Sequence, residues 1–235
     1  PGGGAVASGP SWEGWIQPPD YTGKPTLYLN DIRQSDLSVP VGSKVVLRLY
    51  GEAGSLTVDE TVSGRTGMVD SASAPSQEFS ITRSGRLNIN GPRGAGWDVT
   101  TIADRAPSVE LSGPIGREAD GAMRQPFTAH DDYGVTAGQA RMELDTAALD
   151  RRYGLAAEPE PRDALVVDLP MPITGSRADF TETLAENFSQ HPWANLPVKI
   201  SLTVQDAAGQ TGATEARSIV LPGRRFFDPL AAALI

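Results

Sequence analysis

KVVLRLY, residues 44–50, sets Val45, Leu47 and Leu49 at every second position, with Lys44, Val46, Arg48 and Tyr50 between them. Side chains of a strand alternate between its two faces, so this spacing gives one apolar face and one mostly polar face, which a helix of 3.6 residues per turn cannot do. Such a strand buries one side and leaves the other in water, as in an antiparallel sheet laid on a core. The same period recurs on either side, in TLYLN (Leu27, Leu29), SLTV (Leu56, Val58), EFSIT (Phe79, Ile81), RLNIN (Leu87, Ile89) and GWDVTTI (Trp97, Val99). Gly, Pro, Ser, Asn or Asp clusters separate most of these runs, at the spacing of a small all-β sandwich.

Near residue 105 the pattern restarts. ADRAPSVEL reads as a short linker around Pro107, and a second series follows: PSVEL, AMRQPFTA, QARMEL, ALVVDL, ADFTETL, VKISLTV and ARSIVL. WDVTTIADRAPS and VKISLTVQDAAGQTG form a weak internal repeat, each a strand running into an Asp-containing turn. The expected fold is therefore all-β: two tandem immunoglobulin-like sandwiches, at 10–105 and 106–222, behind a flexible leader at 1–9. Helical signal is confined to DTAALDRRYG (145–154), LAENFSQHPW (184–193) and the end of the chain. There Asp228 reads as an N-cap and Pro229 as the first helical residue, so 223–235 is expected to begin a helix. A helix stopping at Ile235 would be too short to hold itself, which reads as a piece cut from something longer.

Composition narrows the chemistry. Among 235 residues the hydrophobic share is 39% and the charged share 21%, enough apolar material for packed cores. The net charge is −9, and the lysines are only Lys24, Lys44 and Lys199, which argues against nucleic acid as a partner. No cysteine is present, which removes disulfides, thiolate metal sites and cysteine nucleophiles. No stretch approaches the ~20 consecutive apolar residues of a membrane span.

Four stretches then occur in order: WIQPPDYTGKP, HDDYGV, HPWANLPVKISLTVQDAAGQTG and LPGRRFFDPLAAALI. Together they resemble a family of long alphaproteobacterial membrane proteins known as domain of unknown function 4175. The resemblance runs from about Trp12 to Ile235 but finds no motif at 60–78 or 150–163. It implies membrane helices near the N-terminus, a region outside the cytoplasmic membrane, and a long helical, low-complexity C-terminal part. By that resemblance this chain is the periplasmic β region, anchored to the inner membrane in the full-length protein through segments absent here. It implies no catalytic residues and no cofactor. The expected role is a non-enzymatic spacer and protein-interaction module of the cell envelope, with a glycan- or peptidoglycan-binding module as the alternative.

Candidate sites follow from residue type. TAHDDYGVTA (128–137) packs His130, Asp131, Asp132, Tyr133 and Gly134 together. With Asp206 from VQDAAGQTG, Asp131 and Asp132 could supply oxygen ligands to calcium if the chain turns there. The alternative is structural: one aspartate caps a turn, Gly134 takes a positive φ and Tyr133 packs on the sandwich. A hydrolase would need His130 or His191 beside a serine and an aspartate, but no G-x-S-x-G elbow is present and the histidines lie far apart in sequence. Trp12, Trp15 and Tyr21 cluster early and could stack on sugar rings or a partner helix. Arg224, Arg225, Phe226 and Phe227 open the C-terminal segment and could fasten a following helix or mediate self-association, because an apolar helix face must be covered.

Overall fold

A computed structural model describes residues 9–66, 70–150 and 161–224. The chain divides into two compact units, Pro1–Asp104 and Arg105–Ile235. The described residues form strands and single turns of 3-10 helix, with no α-helix among them, and no helix there is long and apolar enough to cross a membrane.

The first unit holds β1 (Ser11–Gln17), β2 (Leu27–Tyr28), β3 (Asp36–Pro40), β4 (Lys44–Tyr50), β5 (Thr57–Glu60), β6 (Ser76–Ser80), β7 (Gly85–Asn90) and β8 (Ala95–Ile102). One sheet has the order β2-β1-β4-β6 and the other β3-β8-β7-β5; β3 runs parallel to β8 and the remaining pairs are antiparallel. Their inward rows meet in one core, in which Ile16, Val39, Val45, Leu47, Ile81 and Leu87 are completely buried. In β4 the alternation is the one the sequence carries: Val45, Leu47 and Leu49 point in, Lys44, Arg48 and Tyr50 out.

One interior strand here is hidden from a sequence reading, and one expected run is shorter than its alternation suggests. β1 shows no uninterrupted apolar alternation in the sequence, yet it is an interior strand paired along its length with β4. Its inward row is Trp12, Gly14 and Ile16, and Gly14 breaks the apolar signal because Leu47 and Leu29 fill the space where its side chain would be. Tyr28 and Leu29 do not continue as a strand: Leu29–Asp31 turns in a 3-10 helix that delivers Leu29 to the core. Asn30 completes the edge. Its Oδ1 accepts the Gly14 N–H at 3.2 Å and its Nδ2 donates to the Trp12 carbonyl at 2.8 Å, so one side-chain amide stands in for a strand beyond β2.

The second unit holds β9 (Ser108–Leu111), β10 (Gly116–Arg117), β11 (Met123–His130), β12 (Val135–Leu144), β13 (Leu165–Asp168), β14 (Asp179–Glu186), β15 (Pro197–Asp206), β16 (Thr211–Ala213) and β17 (Arg217–Val220). β11 pairs with β14 on one side and with β9 and β10 on the other; β12 lies between β13 and β15, and β15 also pairs with β16 and β17. Phe127, Met142, Ile200 and Leu202 are completely buried between the two sheets. Pro126 lies inside β11, where a missing N–H should break the ladder. It is tolerated because its carbonyl accepts the Ser112 N–H beyond the end of β9, placing its nitrogen at the gap between β9 and β10. The buried Gln125 amide closes that gap by donating to the carbonyls of Pro126 and Gly113.

Candidate functional site

In the first unit the aromatic residues sort by strand parity. Trp12 and Trp15 are three apart on β1 and therefore face opposite ways. Trp12 is 8% exposed; its ring meets Trp97 edge to face at 5.8 Å, and its Nε1 donates to the Arg93 carbonyl at 2.8 Å. The expectation of one exposed patch containing Trp12, Trp15 and Tyr21 is thereby corrected: Trp12 is core, because the inward side of β1 is the side covered by the opposing sheet. Tyr21 is half-buried in the 3-10 turn Asp20–Thr22, off the strand.

Trp15 has a different neighbourhood, one that the sequence spacing conceals. It lies across from Tyr28 on β2 and Val46 on β4. The Tyr28 ring sits 5.6 Å from it, tilted by 39°, and the Arg48 guanidinium lies 5.7 Å from the indole centroid. Tyr50, 45% exposed, donates its hydroxyl to Glu13 at 2.9 Å, and Lys44 pairs with Glu78 at 2.6 Å. Partial burial, then the Glu13 and Asp31 carboxylates and the Tyr50 phenol, push the Tyr28 phenol above its ordinary range, so it remains neutral. The outer surface of β2-β1-β4-β6 is thus an aromatic and guanidinium cluster whose bordering charges, Lys44 and Arg48 against Glu13 and Glu78, balance.

In the second unit TAHDDYGVTA is the end of β11, a turn and the start of β12. Asp131 is 2% exposed, and its Oδ2 accepts the N–H groups of Tyr133 at 2.9 Å and Gly134 at 2.5 Å. Gly134 has φ of 112°, a value L side chains rarely adopt, which explains the glycine. Just beyond, a bulge between Val135 and Ala137 turns the Thr136 hydroxyl onto the carbonyls of Gln205 and Asp206. Asp206 caps its own turn, with Oδ1 accepting the Gln210 N–H at 2.7 Å. Ligand oxygens of Asp131 and Asp132 lie within 4.8 Å of each other, but Asp131, Asp132 and Asp206 do not form such a group of three among the described residues.

The histidines are apart. His130 pairs with Asp179 at one end of the β11-β14 ladder, whereas His191 follows the far end, where Met123 meets Glu186. That ladder is about 24 Å long at roughly 3.4 Å per residue, so the two share no site. His191 is a corner residue: its Nδ1 accepts the Trp193 N–H at 3.2 Å and its ring stands edge to face with Trp193. Arg224 is exposed after the last strand. Arg225, Phe226, Phe227, the expected C-terminal helix and the leader at 1–8 lie outside the described residues.

Comparison with known proteins sets this geometry in context. No curated protein matches the chain. Solved structures with some likeness include the FN1–FN3 domains of chicken CNTN1, 13% identical with a TM-score of 0.30. That match covers 82% of this chain and 63% of the other. Fibronectin(III)-like modules of Clostridium thermocellum CbhA are 12% identical with a TM-score of 0.29, covering 83% of this chain and 92% of theirs. A DUF3823 family protein from Bacteroides ovatus is 10% identical with a TM-score of 0.30, covering 72% and 90%. A family model matches residues 1–235 throughout, and the chain belongs to that family, described as Domain of unknown function (DUF4175).

Proposed function

We infer that this chain is a non-enzymatic interaction module: the periplasmic region of a membrane-anchored envelope protein, docking a protein partner on the outer face of β2-β1-β4-β6. One observation carries the reading, the gathering of Trp15, Tyr28, Arg48 and Tyr50 on that face. Tryptophan, tyrosine and arginine dominate binding energy at protein interfaces, because they bury much area at little conformational cost and pair with polar groups. A balanced charge border suits a partner that is itself neither strongly acidic nor basic. The family match names no reaction, and the histidines belong to different ends of a sheet. Self-association through the C-terminal segment is part of the same proposal, since its apolar residues need a cover.

The test uses the full-length protein in its native membrane. Covalent capture followed by purification is expected to yield a partner with the parent chain and to lose it with the Trp15→Ala, Arg48→Glu double variant. Retention by the double variant would contradict the choice of face. The second reading is glycan binding, favoured by a half-exposed Trp15 beside Tyr28. Against it, one side of the Trp15 ring is already taken by Arg48. Co-sedimentation with purified peptidoglycan separates the two: a Trp15-dependent pellet would favour the glycan.

A further inference from the structure

The turn after β11 contains a carboxylate that its own fold leaves half used. Asp131 is 98% withdrawn from solvent by its 2% exposure, and Oδ2 carries both turn N–H bonds. Its Oδ1 is fully enclosed and has no hydrogen-bond partner among the described residues. A buried anionic oxygen with no donor is costly. Beside it stands a second carboxylate, the exposed Asp132, with a ligand oxygen within 4.8 Å. A neutral donor would satisfy the enclosed oxygen but leave the two like charges opposed, whereas a cation bound to both relieves both. The donors are carboxylate oxygens alone, which selects a hard cation, and calcium tolerates irregular sites completed by water where magnesium demands a near-ideal octahedron.

We propose that the Asp131–Asp132 turn is a calcium site, with Asp131 Oδ1 the enclosed ligand, Asp132 the solvent-side ligand and water completing the shell. Asp206 is not a ligand: its Oδ1 serves the Gln210 turn, and although its Oδ2 is likewise enclosed without a hydrogen-bond partner, it forms no group with Asp131 and Asp132 among the described residues. Arg177, whose Cβ and backbone lie against Gly134, turns its Nε to the Pro172 carbonyl at 3.3 Å. Asp145 marks the contrast, since its enclosed Oδ1 has Lys199 Nζ at 3.7 Å and needs no added cation. The site belongs to the second unit and the proposed docking face to the first, and neither proposal depends on the other.

Terbium, a calcium mimic excited through a nearby aromatic ring, gives a direct reading on the whole chain because Tyr133 adjoins the site. Terbium luminescence is expected in the parent and displaced by calcium with a midpoint on the order of 0.1–1 mM, the range of extracellular modules. At about 10 mM calcium the melting temperature of the second unit should exceed its value in chelator by roughly 5 °C. Asp132→Asn, a change at an exposed residue, is expected to abolish both responses while melting like the parent in chelator. As an independent reading, the Tyr133 and Gly134 amide resonances of the parent should shift on calcium addition. Identical melting with calcium and chelator, unmoved amides, or an undiminished response in Asp132→Asn would each overturn the site.

Discussion

Gly14 faces two leucines so closely that a Cβ there would come to 2.7 Å from Leu47 Cδ2 and 2.8 Å from Leu29 Cδ1. Gly14→Ala is therefore expected to cost about 1–3 kcal/mol, the usual penalty for overpacking, read as a lower denaturant midpoint for the first unit. His191 supplies a pH-dependent prediction. Burial first, and then the charge of Arg162, hold its imidazole below the ordinary value of 6.5. The neutral ring is the form the fold prefers, since Nδ1 accepts the Trp193 N–H. Its contribution is thus fully present above pH 6.5 and is lost as the pH falls through the depressed value. Lowering the pH from about 7.5 to about 5.5 should lower the melting temperature of the second unit. His191→Asn, which keeps an acceptor and does not titrate, should flatten that dependence; an unchanged slope would assign it to another group.

Strands make the next scale. Where inward residues alternate without interruption, as in β4, β7, β8 and β15, the element can be read directly from the sequence, because burial on one side imposes the pattern. Four strands escape that logic for separate reasons. Gly14 interrupts β1, and Pro40 closes β3, whose inward pair Leu37 and Val39 is otherwise regular. β10 and β16 are too short to show a period. The aromatic face of β2-β1-β4-β6 is only partly legible, since Trp15 stands out in the sequence while Tyr28 and Arg48 reach it through pairing across two other strands. The aspartate turn was more open to reading, because D-D-Y-G carries its turn chemistry in adjacent residues. The Asn30 side chain offers an element-level test. Asn30→Ala would leave the Gly14 N–H and Trp12 carbonyl unpaired at the end of the β2 ladder, at a cost of about 1–2 kcal/mol. Hydrogen exchange should quicken at Gly14 and stay unchanged in β6.

At the scale of the whole chain, the two hydrophobic cores share no residue: one runs from Trp12 to Val99 and the other from Val109 to Leu221. A cavity in one core should therefore act on one unit only. Leu47→Ala is expected to destabilise the first unit by about 2–5 kcal/mol and Met142→Ala the second by a similar amount. Calorimetry should show a different transition moving in each case, and joint movement would contradict separate folding. The central claim is that a partner meets the face built on Trp15, Tyr28 and Arg48. It is tested most directly by a photoreactive amino acid placed in full-length protein at Val46, half-buried on that face, and at Asn88, on the outer side of the opposite sheet. The account predicts a discrete protein adduct from position 46, absent from position 88 and abolished by Arg48→Glu; adducts of equal yield at both positions, or none at 46, would contradict it.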